Sequence, residues 1–92
     1  MIRINVSLLI EKSENRKPLI DAATELTEYS LHDKGCISYD VLSSLTCDDS
    51  LMIVETWQSR ADLEQHMNAE HFTRLVPRLQ ELSTMTMEEF EF

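Results

Sequence analysis

Long apolar runs, basic charge and cysteine are all scarce in this 92-residue chain, and each shortage excludes something. No apolar run extends beyond Leu51–Val54, far short of the ~20 residues that span a bilayer. The N-terminus, Met-Ile-Arg-Ile-Asn-Val-Ser-Leu-Leu-Ile, lacks the longer apolar run and small-residue cleavage site of a secretory signal, so a cytoplasmic location is expected. Eight basic residues against seventeen acidic ones give a net charge of −9, which would repel nucleic acid and anionic membrane surfaces. Cys36 and Cys47 could form at most one bridge, neither sits in a Cys-x-x-Cys pair, and both are expected to stay reduced. Ninety-two residues make one domain, 1–92, with a core too small to be comfortable alone. With disulfides set aside, oligomerisation is the expected remedy.

What is present is strongly patterned. Ile2, Ile4, Val6, Leu8 and Ile10 alternate with Arg3, Asn5, Ser7 and Leu9, the period of a strand. Ser13 offers a helix cap, and Leu19, Ala23, Leu26 and Ser30 recur at helical spacing, so a helix is expected from about residue 14 to before Gly35. Gly35, the only glycine, suits a left-handed residue just past that helix. Residues 36–43 read as a second strand with Ile37, Tyr39 and Val41 on one face; 43–50 read as a hairpin loop. Residues 51–57 form a third strand that is apolar on both faces, with Leu51, Ile53 and Trp57 opposed to Met52 and Val54. Ser59 and Asp62 form a capping box opening a helix through Met67. A second helical stretch carries Phe72, Leu75, Val76, Leu79 and Leu82, and Pro77 should kink it or end its first segment. Residues 83–92 read as a last strand whose Met85 and Met87 oppose Phe90 and Phe92, which suggests a bulge near Glu88-Glu89.

The order β-α-β-β-α-β is that of an α+β, ferredoxin-like domain, an antiparallel sheet with helices on one face. One layer of helices covers one side of a sheet. Met52, Val54 and Leu9 therefore ask for a partner on the other, and a homodimer is expected.

Three stretches carry more specific information: Gly35-Cys36-Ile37-Ser38-Tyr39, Glu55-Thr56-Trp57-Gln58-Ser59, and His66 followed by His71-Phe72. In this order they resemble the antibiotic biosynthesis monooxygenase family from Ile2 to about Leu82. The resemblance implies a dimeric α/β barrel, in which two sheets associate back to back, and a small-molecule substrate. Several members oxidise quinols or polycyclic phenols with O₂, using neither metal nor flavin. Others handle haem or process small signalling molecules. Haem-degrading relatives share the residues matching Asn5 and Trp57, but Val76 stands where they carry the axial histidine, so haem chemistry is not expected.

Oxygenation without a cofactor requires a phenolate, because triplet O₂ reacts poorly with a neutral closed-shell phenol. A base near pKa 7, an apolar cavity and fixed hydrogen-bond donors meet that requirement. His66, beside the apolar stripe of its helix, is the expected base. Trp57 is expected as a cavity wall with one indole donor, and Asn5 as an orienting donor in the first strand. Tyr39, Phe72 and His71 are expected as substrate-binding residues around the cavity, with His71 also bracing the junction before its helix, and Glu55 is expected to pair with a basic residue. The histidines show no metal-ligand spacing with a carboxylate or thiol, so no metal is expected, and the resemblance implies no other cofactor. Two other readings use the same pocket. One is an isomerase or detoxifying enzyme for a small carbonyl metabolite. The other is a non-enzymatic module that binds a small ligand.

Overall fold

Alternation of side chains along the strands decides what each face of the sheet does. The computed structural model describes residues 1–92 as β1 (Ile2–Leu9), α1 (Arg16–Ser30), β2 (Cys36–Ser43), β3 (Ser50–Trp57), α2 (Arg60–Met67), α3 (Glu70–Leu82) and β4 (Thr84–Glu91). The sheet order is β2-β3-β1-β4, and every neighbouring pair is antiparallel. This is the ferredoxin-like arrangement that the element order predicts, with all helices on one face.

Under the helices, Ile2, Ile4, Val6 and Leu8 of β1 meet Leu51, Ile53 and Trp57 of β3 in one core with Leu19, Ala23 and Leu26 of α1 and Leu75 and Leu79 of α3. The other face carries Arg3, Asn5, Ser7 and Leu9 beside Met52, Val54 and Thr56, flanked by Leu42 and Phe90. Leu9, Leu42, Phe90 and Phe92 are exposed. No helix is long and apolar enough to cross a membrane.

Several local expectations are corrected. β4 pairs with β1 without interruption from Thr84 to Glu91, so there is no bulge at Glu88-Glu89. None is needed, because Met85 and Met87 face the helices while Phe90 lies on the bare face, and both faces take apolar residues. The irregularity falls instead between Cys36 and Ser38 in β2. It breaks the alternation there, and Ile37 is exposed rather than sharing a buried face with Tyr39. A 3₁₀ turn spans Ser13–Asn15, and α1 begins at Arg16 without a side-chain cap from Ser13. α3 runs through Pro77 without ending there.

Two expected devices are present. Gly35 sits at φ +78°. Ser59 Oγ accepts from the Asp62 backbone N–H at 3.2 Å and donates to its carboxylate at 3.0 Å, starting α2.

Candidate functional site

The helices and sheet border a half-open cavity of about 500 Å³. Twelve of its sixteen lining residues are hydrophobic, and none is lysine or arginine. Ile4, Val6 and Ile53 form its floor; Leu63, Phe72, Val76 and Leu79 come from the helices, and Met85 and Met87 from the edge strand. Such a cavity takes an apolar or aromatic guest. Its one ionisable group with a shifted pKa near neutrality is Glu55.

Glu55 follows Ile53 and precedes Trp57 on the inward face of β3, opposite Ile4 and Tyr39. It is only 5% exposed. Its Oε1 accepts the Trp57 indole N–H at 2.8 Å. Burial pushes its pKa up to about 7; the Trp57 N–H and the Tyr39 hydroxyl favour the anion and pull it partway back. No basic side chain pairs with it, contrary to expectation. The missed signal was parity: positions 51, 53, 55 and 57 share the buried face, which placed this carboxylate in the core. Tyr39, beside it, has its phenol raised by burial and by the Glu55 charge, so it remains a neutral donor. Cys36 and Cys47 are free thiols. Cys36 is held at about pKa 11 by burial and by the Glu55 and Asp33 charges, which makes it a poor nucleophile.

The other expected site residues divide among three places. Tyr39 and Phe72 line the cavity. Trp57, His66 and His71 stand behind its wall as an aromatic cluster. The His66 ring lies 4.4 Å from the Trp57 ring, 5.2 Å from Phe72 and 5.8 Å from Tyr39, centre to centre. His66 is buried, and its Nδ1 lies 2.7 Å from Asp33 Oδ2. Burial lowers its pKa, and Asp33 opposes that shift. His71 Nε2 lies 2.7 Å from the same oxygen at the start of α3, and His71 does not line the cavity where a substrate-binding role was expected, because Asp33 and Tyr29 hold its ring elsewhere. Its ring stacks on Tyr29 at 5.6 Å. Asn5 is on the opposite side of the sheet, where it accepts from Arg3 Nε at 2.9 Å. It does not converge with His66 and Trp57, because the residues flanking it, Ile4 and Val6, are the ones that point into the cavity.

The sequence model of the antibiotic biosynthesis monooxygenase family matches residues 1–78. A Synechocystis protein, "Uncharacterized protein sll1783", is 30% identical over 71 residues, which cover 77% of this chain and 48% of that protein. The chain thus spans about half the length of that curated relative. A solved structure from Bacteroides thetaiotaomicron, described as a conserved protein and "Possible Oxidoreductase", is 45% identical. It superposes at a TM-score of 0.95 over 99% of this chain and 96% of its own. SnoaB of Streptomyces nogalater, described as a cofactor-independent oxygenase, matches at a TM-score of 0.87 with 12% identity, covering 99% of this chain and 91% of its own. At that identity the likeness is one of fold.

Proposed function

The chain belongs to the antibiotic biosynthesis monooxygenase family, and from that premise we propose that it is a cofactor-independent monooxygenase for a quinol-like or phenolic small molecule. The observation that carries this reading is Glu55, a buried carboxylate with a pKa near 7 at the wall of an apolar cavity.

A base works best when its pKa lies near the working pH. Glu55 takes the phenolic proton at its carboxylate, which Trp57 holds through Oε1. In doing so it becomes neutral, so it does not repel the phenolate and donates a hydrogen bond to it. The phenolate passes one electron to O₂, and the radical pair recombines at a ring carbon. Overall the substrate loses two hydrogens and gains one oxygen, while the second oxygen leaves as water. The apolar lining keeps bulk water from the intermediates. A wall without lysine or arginine disfavours phosphorylated or carboxylated substrates.

The working unit in this proposal is a homodimer. Met52, Val54, Leu9 and Phe90 lie on the face without helices, and an apolar face of this kind is buried most simply against a second copy by a two-fold axis. Oxygen uptake with a panel of quinols tests the activity. Proton exchange into a small carbonyl compound without oxygen uptake would point to an isomerase instead.

A further inference from the structure

We propose that Asp33, His66 and His71 form a binding site for one borderline divalent cation of the zinc class, separate from the oxygenase cavity. Three elements converge on it: the turn after α1 brings Asp33, the last turn of α2 brings His66, and the first turn of α3 brings His71. His66 Nδ1 and His71 Nε2 each lie 2.7 Å from the same oxygen, Asp33 Oδ2. The three ligand atoms all lie within 4.8 Å of one another. Two imidazoles and one carboxylate are the donor set that zinc, cobalt(II) and nickel accept and that calcium and magnesium, which want oxygen, do not.

The existing contacts are those of a site closed on protons. A shared ion would replace the two N–H···O contacts with three bonds, one from each ring nitrogen and one from Asp33. The displaced protons go to the other ring nitrogens or to water, and opening the carboxylate away from the rings makes room for the ion. Asp33 sits in a turn and is partly exposed, so it can make that movement. A polar depression of about 340 Å³, lined by Asp33 and His66 together with Asp62, Gln65, Asn68 and Lys34, lies beside the cluster. It has room for water at the remaining coordination positions. The Lys34 ammonium opposes a cation there and the Asp62 carboxylate favours one.

A second observation points the same way. His66 Nε2 is buried and has no hydrogen-bond partner. When Nδ1 holds the proton toward Asp33, Nε2 is a bare lone pair packed among the rings of Trp57, Phe72 and Tyr39, which costs free energy. When Nδ1 holds a cation, the proton moves to Nε2, and an N–H is a group that aromatic faces accept. Ligation thus resolves the orphaned atom.

The test uses the untagged full chain, stripped with a chelator and titrated with Zn²⁺ while nitrogen-15 spectra of the imidazoles are followed. The expected result is saturation at one equivalent, with shifts at His66 Nδ1 and His71 Nε2 and none at the exposed His32. Cobalt(II) should give visible absorption at the same stoichiometry, and His71→Ala and Asp33→Asn should each weaken binding at least a hundredfold. No saturation below millimolar Zn²⁺, or shifts confined to His32, would overturn the proposal even if both variants failed to fold.

Discussion

The indole N–H of Trp57 donates to Glu55 Oε1 at 2.8 Å, a bond between two side chains on the same buried face of β3. It fixes one carboxylate oxygen and favours the anion. Trp57→Phe removes the donor and keeps most of the ring, so the Glu55 pKa should rise above about 7. A charge-assisted bond worth ~1.5–3 kcal/mol corresponds to a rise of about 1–2 pH units. Carboxyl carbon-13 NMR across pH reads it directly, and an unchanged or lower midpoint would show that the bond does not tune the group.

Glu55 also ties stability to pH. Its carboxyl binds its proton more tightly folded than unfolded, so the folded state loses stability as pH rises from about 4.5 to about 7. At ~1.4 kcal/mol per pH unit that loss is about 3 kcal/mol. His66 acts in the opposite sense. Its pKa is lowered by burial, so the folded state loses stability as pH falls below 6.5. Comparing wild type with Glu55→Gln at each pH removes the histidine contribution. The variant should gain on the wild type by about 3 kcal/mol between pH 4.5 and pH 8 in urea melts. A constant difference across that range would contradict the buried, near-neutral carboxylate.

Gly35 is held at φ +78°, and a Cβ there would strike the Asp62 carboxylate, the partner of the Ser59 cap. Gly35→Ala therefore meets a backbone penalty and a clash together. A loss of about 2–4 kcal/mol is expected in urea unfolding. A loss below ~0.5 kcal/mol, within the range of a neutral surface change, would show that the turn relaxes freely.

The proposed dimer rests on Met52 and Val54, half-buried on the bare sheet face, with Leu9 and Phe90 beside them. Val54→Lys puts a charge at that seam and should yield monomer, or protein that no longer folds. Sedimentation equilibrium at low micromolar concentration should give twice 10.7 kDa for the wild type. A folded 10.7 kDa wild-type monomer would show that the face is left bare or covered in another way.

Periodicity made the elements and their order legible, because strands and helices that bury one face repeat at two and 3.6 residues. It could not place the Cys36–Ser38 irregularity, since a bulge shifts parity without leaving a mark in composition. That is why Ile37 read as core. The site was legible in part. Tyr39 and Phe72 reach the cavity as expected, but Asn5 was given to it without asking which face of β1 it shares. Glu55 was misread because an acidic residue suggests a surface ion pair, although its parity with Ile53 and Trp57 said otherwise. Asp33 had no signal at all. Only the turn at Gly35 and the packing of α2 and α3 bring it to the two histidines.

The most direct test of the account is oxygen uptake by the untagged, chelator-treated protein with a panel of naphthoquinols and phenols, run in parallel with Glu55→Gln. The account predicts saturable uptake, one O₂ per molecule oxidised, with kcat/KM lowered about 10²–10⁴-fold in the folded variant, the loss expected for a missing base. Uptake no faster than autoxidation, or equal rates for wild type and Glu55→Gln, would contradict it.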